Sequence, residues 1–144
     1  MKKIKETIKK MYIKYEEIVK YLIFGGLTTV VNFIVYFISN GIFKIEELIS
    51  NVIAWFLSVL FAYITNKIIV FKSTHISKKS ILKEIISFFG ARVFTLVLCD
   101  VLLFILMVNV MHINSYIVKL ILQVLVIVLN YILSKLFVFK KKKK

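Results

Sequence analysis

Several residue types are scarce in this 144-residue chain: proline does not occur, cysteine occurs once and histidine twice. Cys99 lies inside an apolar stretch, so it has neither a disulfide partner nor neighbouring metal ligands. His75 and His112 fall in different predicted loops, which supports neither a metal site nor a catalytic triad. A Gly-x-x-x-x-Gly-Lys-Ser/Thr nucleotide loop is also lacking. The sequence therefore predicts no metal, no cofactor, no built-in ATPase and no enzymatic activity.

Acidic side chains are also few, with 7 Asp and Glu against 21 Lys and Arg, for a formal charge of +14. Yet 60% of the residues are hydrophobic. A soluble domain could not bury so large an apolar fraction, and a disordered basic tail would not contain it. Both properties together indicate an integral membrane protein.

Four apolar windows are long enough to cross a hydrocarbon core, which takes about 20 residues. They run over Tyr21–Ile42, Leu48–Ile69, Ile85–Val108 and Ile113–Phe137. Strands of a β-barrel would be about half as long and would alternate in polarity, which is not seen. The predicted fold is an all-α integral membrane protein with four transmembrane helices.

A basic segment precedes the first window. Its apolar residues recur in steps of four and three, at Ile4, Ile8, Met11, Tyr15, Ile18 and Leu22, and lysines fill much of the rest. This spacing predicts an amphipathic helix over residues 1–20 that lies on the cytoplasmic leaflet. A coiled-coil seam has the same spacing, but three heptads are few and the lysines carry one sign of charge.

The distribution of lysines predicts the orientation. Residues 1–20, 66–84 and 135–144 contain 18 of the 21 basic residues, whereas the opposite loops hold only Lys44 and, near a helix start, Lys119. Because cationic loops stay inside, both termini, including the lysine tail 141–144, and the central loop are predicted to be cytoplasmic. The charge flanks apolar spans, which favours anionic membrane lipids as partners over nucleic acid.

One ten-residue pattern ends two of the windows. Tyr63–Lys72 and Tyr131–Lys140 are identical at six positions, 68 residues apart. Phe88-Phe-Gly90 likewise echoes Phe24-Gly-Gly26, whose small residues predict the close approach of a neighbouring helix. Both halves, 21–72 and 85–140, begin and end on the same side. The sequence therefore predicts two parallel double-spanning repeats with an axis along the membrane normal.

Arg92 is the basic residue inside the third window, roughly 10 Å from the cytoplasmic interface. Charges at such depth usually face a bundle interior or a water-filled cavity. Either Arg92 snorkels to the headgroups, or its guanidinium binds an anion, because its fork of donors matches phosphate oxygens. The second reading is favoured.

Other polar residues lie within the spans. Asp100 is expected to pair with Lys119 or an asparagine of another helix, or to carry a proton, and Lys119 either snorkels or lines a path. Asn32 is expected to bond another helix in preference to a ligand.

Two stripes of small and polar residues, Ala62-Asn66-Val70 and Asn130-Ser134-Val138, each lie on one helix face. They are expected to meet across the repeat axis. A lipid phosphate held near Arg92 would then pass polar side chains including Asn130 and leave near Lys119, while its tail stays in hydrocarbon.

These motifs resemble the GtrA-like family, in which each half ends in Asn-Phe/Tyr-x-x-Asn/Ser-basic-x-x-Val/Thr-Phe. Residues 130–139 match this pattern, whereas residues 62–71 have Ala62 in place of the leading Asn. The resemblance covers residues 20–140. It carries the family's Asn, basic and Phe positions over to Asn66, Phe71, Phe88, Arg92, Lys119, Asn130 and Phe139.

The resemblance implies a flippase of the bacterial cell membrane. It would move a polyprenyl-phosphate-linked sugar, such as undecaprenyl-phosphate glucose, to the outer leaflet for glycosylation of teichoic acid or surface polysaccharide. Membrane glycosyltransferases would act before and after it. Four helices enclose little space around a phosphosugar, which favours a homodimer.

Two other functions are open. One is a non-transporting accessory of a glycosyltransferase. The other is a small multidrug exporter, which is disfavoured because such exporters depend on a glutamate inside the first span. Here Glu16 and Glu17 precede that span, and Glu46 and Glu47 follow it.

Overall fold

The computed structural model describes residues 1–74 and 77–140, and within them it contains helices and loops but no strand. His75 and the predicted lysine tail 141–144 lie outside the described residues. The four helices are α1 (Lys2–Ile42), α2 (Glu47–Val70), α3 (Lys78–Val110) and α4 (Ser115–Val138). Each is long and apolar enough to cross a membrane. The all-α, four-span membrane fold is thus confirmed.

The chain divides into two compact units, Met1–Lys72 and Ser73–Lys144. In the first unit Tyr21 of α1 contacts Phe71 at the end of α2, so the two helices are antiparallel. In the second, Phe88 near the start of α3 contacts Phe139 just after α4, and that pair is antiparallel too. The parallel arrangement of the two repeats stays a prediction.

The basic segment 1–20 is continuous with the first span. α1 runs for 41 residues without a break, about 60 Å at 1.5 Å per residue and twice the thickness of a hydrocarbon core. Residues 1–15 are all exposed, and Lys20 pairs with Glu16 one turn earlier. The segment is therefore helical, and its location on the leaflet stays a prediction.

The helices start at polar caps or short loops. The side-chain oxygen of Asn114 accepts a hydrogen bond from the Tyr116 N–H at 2.9 Å at the start of α4. The Ser77 hydroxyl accepts one from the Ser80 N–H at 3.2 Å at the start of α3. Each bond satisfies a backbone donor that the helix itself leaves unpaired.

The ends of the helices are wound more widely than an α-helix. The Phe43 N–H donates to the Ile38 carbonyl at 3.0 Å, five residues back, as in a π-helical turn. The residues that follow the first three helices, Lys44, Lys72 and His112, then adopt left-handed backbone angles with φ of 55°, 47° and 53°. This conformation ends each helix and reverses the chain.

One face of α2 packs the first unit together. Its residues at every fourth position are buried, and they are mostly small: Ser50, Ala54, Ser58, Ala62, Asn66 and Val70. Small side chains let two backbones approach closely where lipid supplies no hydrophobic drive for association. The small residues predicted on this face are thus buried, and their part in the site stays a prediction.

The close approach predicted at Phe24-Gly-Gly26 is wrong for this chain. A Cβ atom added at Gly25 or Gly26 would meet nothing within 4 Å in the described structure. The small side chains of α2 make the close packing instead. The ring that pairs with Phe71 is Tyr21, one turn before Phe24.

The left-handed residue Lys44 gives a test of this turn. Lys44→Gly is expected to raise the free energy of unfolding by about 1 kcal/mol, because glycine adopts φ near +55° without a Cβ clash. Reversible unfolding in detergent micelles would measure it. Glu46→Gly is the matched control, since Glu46 has φ of −51° and offers no such gain. Equal effects of both changes would contradict the assignment.

Candidate functional site

An aromatic pair anchors Arg92 in the second unit. Phe88 of α3 is completely buried, and its ring centroid lies 5.9 Å from that of Phe139. Arg92 follows Phe88 by one turn, and its guanidinium carbon lies 4.6 Å from the Phe88 ring centroid. This is the geometry of a cation–π interaction. Arg92 itself is half-buried, so the cation is held by the protein beside an apolar ring.

One turn further along α3, a hydrogen bond joins the two helices. The Thr95 hydroxyl donates to the side-chain oxygen of Asn130 on α4 at 2.9 Å. Both side chains are buried, with Thr95 only 1% exposed and Asn130 6%. Thr95 is absent from the residues predicted above. Its spacing of three residues from Arg92 and seven from Phe88 places it on the same helix face and could have identified it.

Phe88, Arg92 and Thr95 thus succeed one another over roughly 10 Å of α3, from its lysine-rich start towards its middle. The guanidinium turns back to the Phe88 ring, whereas the Thr95 hydroxyl reaches α4. From the start of α3 towards its middle, this face presents first the Arg92 guanidinium and then the Asn130 amide. Such an arrangement suits an anion with a polar headgroup better than a cation.

The first unit lacks this pair. Ala62 occupies the position 68 residues before Asn130, and Val31 occupies the position of Thr95 at the offset that separates Phe24 from Phe88. The Thr28 hydroxyl donates to the Phe24 carbonyl of its own helix at 2.8 Å. The helices are instead joined one turn away, where the Asn32 amide donates to the Ser58 hydroxyl at 3.3 Å.

Asn66 has an incomplete set of hydrogen bonds. Its side-chain nitrogen donates to the Ala62 carbonyl at 2.7 Å. Its side-chain oxygen is buried and, among the described residues, has no hydrogen-bond partner. The other residues of the two predicted stripes are buried as well, at Ala62, Val70, Asn130, Ser134 and Val138. That the two stripes meet stays a prediction.

The predicted pairing of Asp100 with Lys119 or an asparagine is not seen. Both side chains are exposed, and neither makes an ion pair or hydrogen bond with another described residue. The buried faces pass through their neighbours, Cys99 on α3 and Val118 on α4. In antiparallel helices the two side chains also tilt in opposite directions, each towards the start of its own helix.

The unsatisfied oxygen of Asn66 predicts an unusual response to mutation. Asn66→Ser should leave the free energy of unfolding equal to or above that of the parent. It removes a buried unpaired acceptor, which costs about 1–3 kcal/mol, and a serine can still donate to the Ala62 carbonyl. Asn130→Ser is the matched control and should lose about 1 kcal/mol, because the Asn130 oxygen is bonded.

Unfolding of both variants in detergent micelles would measure the difference. A larger loss for Asn66→Ser than for Asn130→Ser would contradict the prediction and would indicate a partner for the Asn66 oxygen.

Comparison with known proteins identifies relatives over most of the chain. The family model "GtrA/DPMS, transmembrane domain" matches residues 20–139. The "Cell wall teichoic acid glycosylation protein GtcA" of Listeria monocytogenes serovar 1/2a is 43% identical over 126 residues, covering 88% of this chain and 86% of that protein. The "Uncharacterized membrane protein YwcD" of Bacillus subtilis is 40% identical over 123 residues, covering 85% and 96%.

A second GtcA protein, from Listeria innocua serovar 6a, is 40% identical over 126 residues and covers the same shares of the two chains, 88% and 86%. The match of the family model includes all four helices except the basic segment that precedes residue 20. This multi-pass membrane chain therefore belongs to the GtrA/DPMS transmembrane-domain family.

Proposed function

We propose that this protein moves a polyprenyl-phosphate-linked monosaccharide from the cytoplasmic to the outer leaflet of a bacterial cell membrane. The sugar would then serve the glycosylation of cell wall teichoic acid or another surface polysaccharide. The observation that carries the proposal is Arg92, a half-buried cation stacked on the Phe88 ring within a transmembrane helix. The names of the Listeria relatives support the teichoic acid part.

A charged side chain inside a membrane span carries a free-energy cost. A counter-charge or polar surroundings lower the cost of a guanidinium inside a membrane span. A lipid phosphate supplies that charge from the leaflet itself, and its oxygens accept the parallel N–H donors of arginine. The polyprenyl chain remains in hydrocarbon while the headgroup follows the polar face of α3. Arg92 thus binds the part of the substrate that hydrocarbon excludes most strongly.

The polar groups of this face bind and orient; they do not make or break a bond. Arg92 offers donors, Phe88 a ring, and the Thr95 hydroxyl is bonded to Asn130. A transporter without enzymatic activity is therefore the function that these groups suit. We further propose that the sugar-lipid comes from one membrane glycosyltransferase and is used by another, and that both termini are cytoplasmic.

Substitution of Arg92 tests the proposal. In proteoliposomes that contain a polyprenyl-phosphate glucose, Arg92→Gln should lower the rate of headgroup movement roughly tenfold or more, because a charge-assisted hydrogen bond is lost. Arg92→Lys should retain part of the rate, since the charge stays but the fork of donors does not. Glucose that becomes accessible to an external glucosidase would report movement. Lys79→Gln, an exposed residue at the start of α3, is the matched control.

Two results would contradict a flippase. If Arg92→Gln, inserted at the level of the parent, moves the sugar-lipid equally fast, Arg92 does not bind the phosphate. If the parent moves the sugar-lipid only when a glycosyltransferase is added, the protein is an accessory of that enzyme. Crosslinking in the same vesicles would test the proposed homodimer, which requires a product of twice the mass.

A further inference from the structure

The Asn130 amide has one end bonded and the other end available. Its oxygen accepts from the Thr95 hydroxyl at 2.9 Å. Its nitrogen makes no hydrogen bond with any described residue. Among those residues, the Asn66 oxygen is the side-chain polar atom that is both fully buried and unpaired. The Asn130 nitrogen is unpaired but does not share that full burial, so part of its surface is accessible. Two amide N–H donors are thus left without an acceptor among the described residues.

The Thr95 hydroxyl determines which end is available. It has one hydrogen and two acceptors within reach, the Asn130 oxygen at 2.9 Å and the Arg92 carbonyl at 3.1 Å. That carbonyl already accepts the Leu96 N–H of the helix. The hydroxyl hydrogen is therefore needed by the Asn130 oxygen more than by the carbonyl. While the hydroxyl donates to that oxygen, the Asn130 nitrogen points away from Thr95.

Thr95 lies where the winding of α3 changes, and its side chain is conformationally restricted. Thr95 is the last residue of the α-helical part of α3, and the wider π-helical winding begins at Leu96. The branched side chain of threonine has few rotamers, so its hydroxyl is held in place. Thr28 of the first unit, by contrast, bonds within its own helix.

From these observations we propose that Thr95 is a positioning residue for the lipid phosphate. It holds the Asn130 carboxamide so that its nitrogen is a second donor, deeper in the span than Arg92. The inference rests on the proposed function and deepens it. A phosphate leaving Arg92 meets a neutral donor next, which binds an anion more weakly than a cation does and so allows onward movement.

Binding of two probes to purified protein tests the inference: a short-chain polyprenyl phosphate, and the polyprenol that lacks the phosphate. Thr95→Val and Asn130→Ala should each raise the dissociation constant for the phosphate roughly tenfold, because one hydrogen bond to a charged group is lost. Thr95→Ser keeps the hydroxyl and should restore binding to within about twofold. Binding of the neutral polyprenol should be equal in all variants.

A double mutant separates positioning from general damage. With Asn130→Ala present, Thr95→Val should add no further loss, because Thr95 acts through the Asn130 amide. Thr28→Val is the matched control in the first unit and should bind both probes as the parent does. If Thr95→Val does not fold, Thr95→Ala gives the same comparison.

The outcomes distinguish the two proposals. If Thr95→Val binds the phosphate within twofold of the parent while Arg92→Gln loses it, positioning by Thr95 is overturned and the proposed function stands. Equal loss of phosphate and polyprenol also overturns positioning, since it indicates structural damage. A parent that binds the phosphate no better than the polyprenol overturns both proposals.

Discussion

Hydrocarbon provides no hydrogen bonds, and the rest of this structure depends on that constraint. The backbone satisfies it by forming four helices whose polar groups bond within each segment. Side-chain hydroxyls satisfy it either within their own helix, as Thr28 does with the Phe24 carbonyl, or across a pair of helices, as Thr95 does with Asn130. Among the described residues, the informative positions are those without a hydrogen-bond partner, and the Asn66 oxygen and the Asn130 nitrogen are two of them.

The two units share their local construction and differ in their polar contacts. In each, an aromatic pair joins the first helix of the unit to the end of the second, Tyr21 with Phe71 and Phe88 with Phe139. The second unit adds a cation over its pair. It also has the hydrogen bond from Thr95 to Asn130, and Asn130 stands at the repeat position that Ala62 occupies in the first unit. The packing that both units share uses aromatic rings and small residues. Because this packing does not depend on the polar positions, those positions can differ between the units, and one unit alone can carry a binding face.

Much of this could be predicted from the sequence. The apolar windows locate α2 and α4 closely, since a span needs about 20 residues and the flanking polar residues delimit it. The ten-residue repeat also identifies Phe71 and Phe139, which are both buried at helix ends. Asp100 and Lys119 show the limit of this reasoning. Their residue types suggest a pair, but pairing depends on helix rotation, which sequence spacing does not determine.

Composition and hydropathy by themselves determined that the chain is helical and has four segments able to cross a membrane, because these properties depend on local transfer free energies. The repeated motifs indicated the resemblance to GtrA-like proteins, which the family match confirms. Tertiary structure decided the contacts between helices. It showed that Tyr21 meets Phe71, that Gly25 and Gly26 face open space, and that the Thr95 hydroxyl donates to Asn130. Each of these depends on the rotation and depth of two helices relative to each other. That geometry is a collective result of packing, which no single segment encodes.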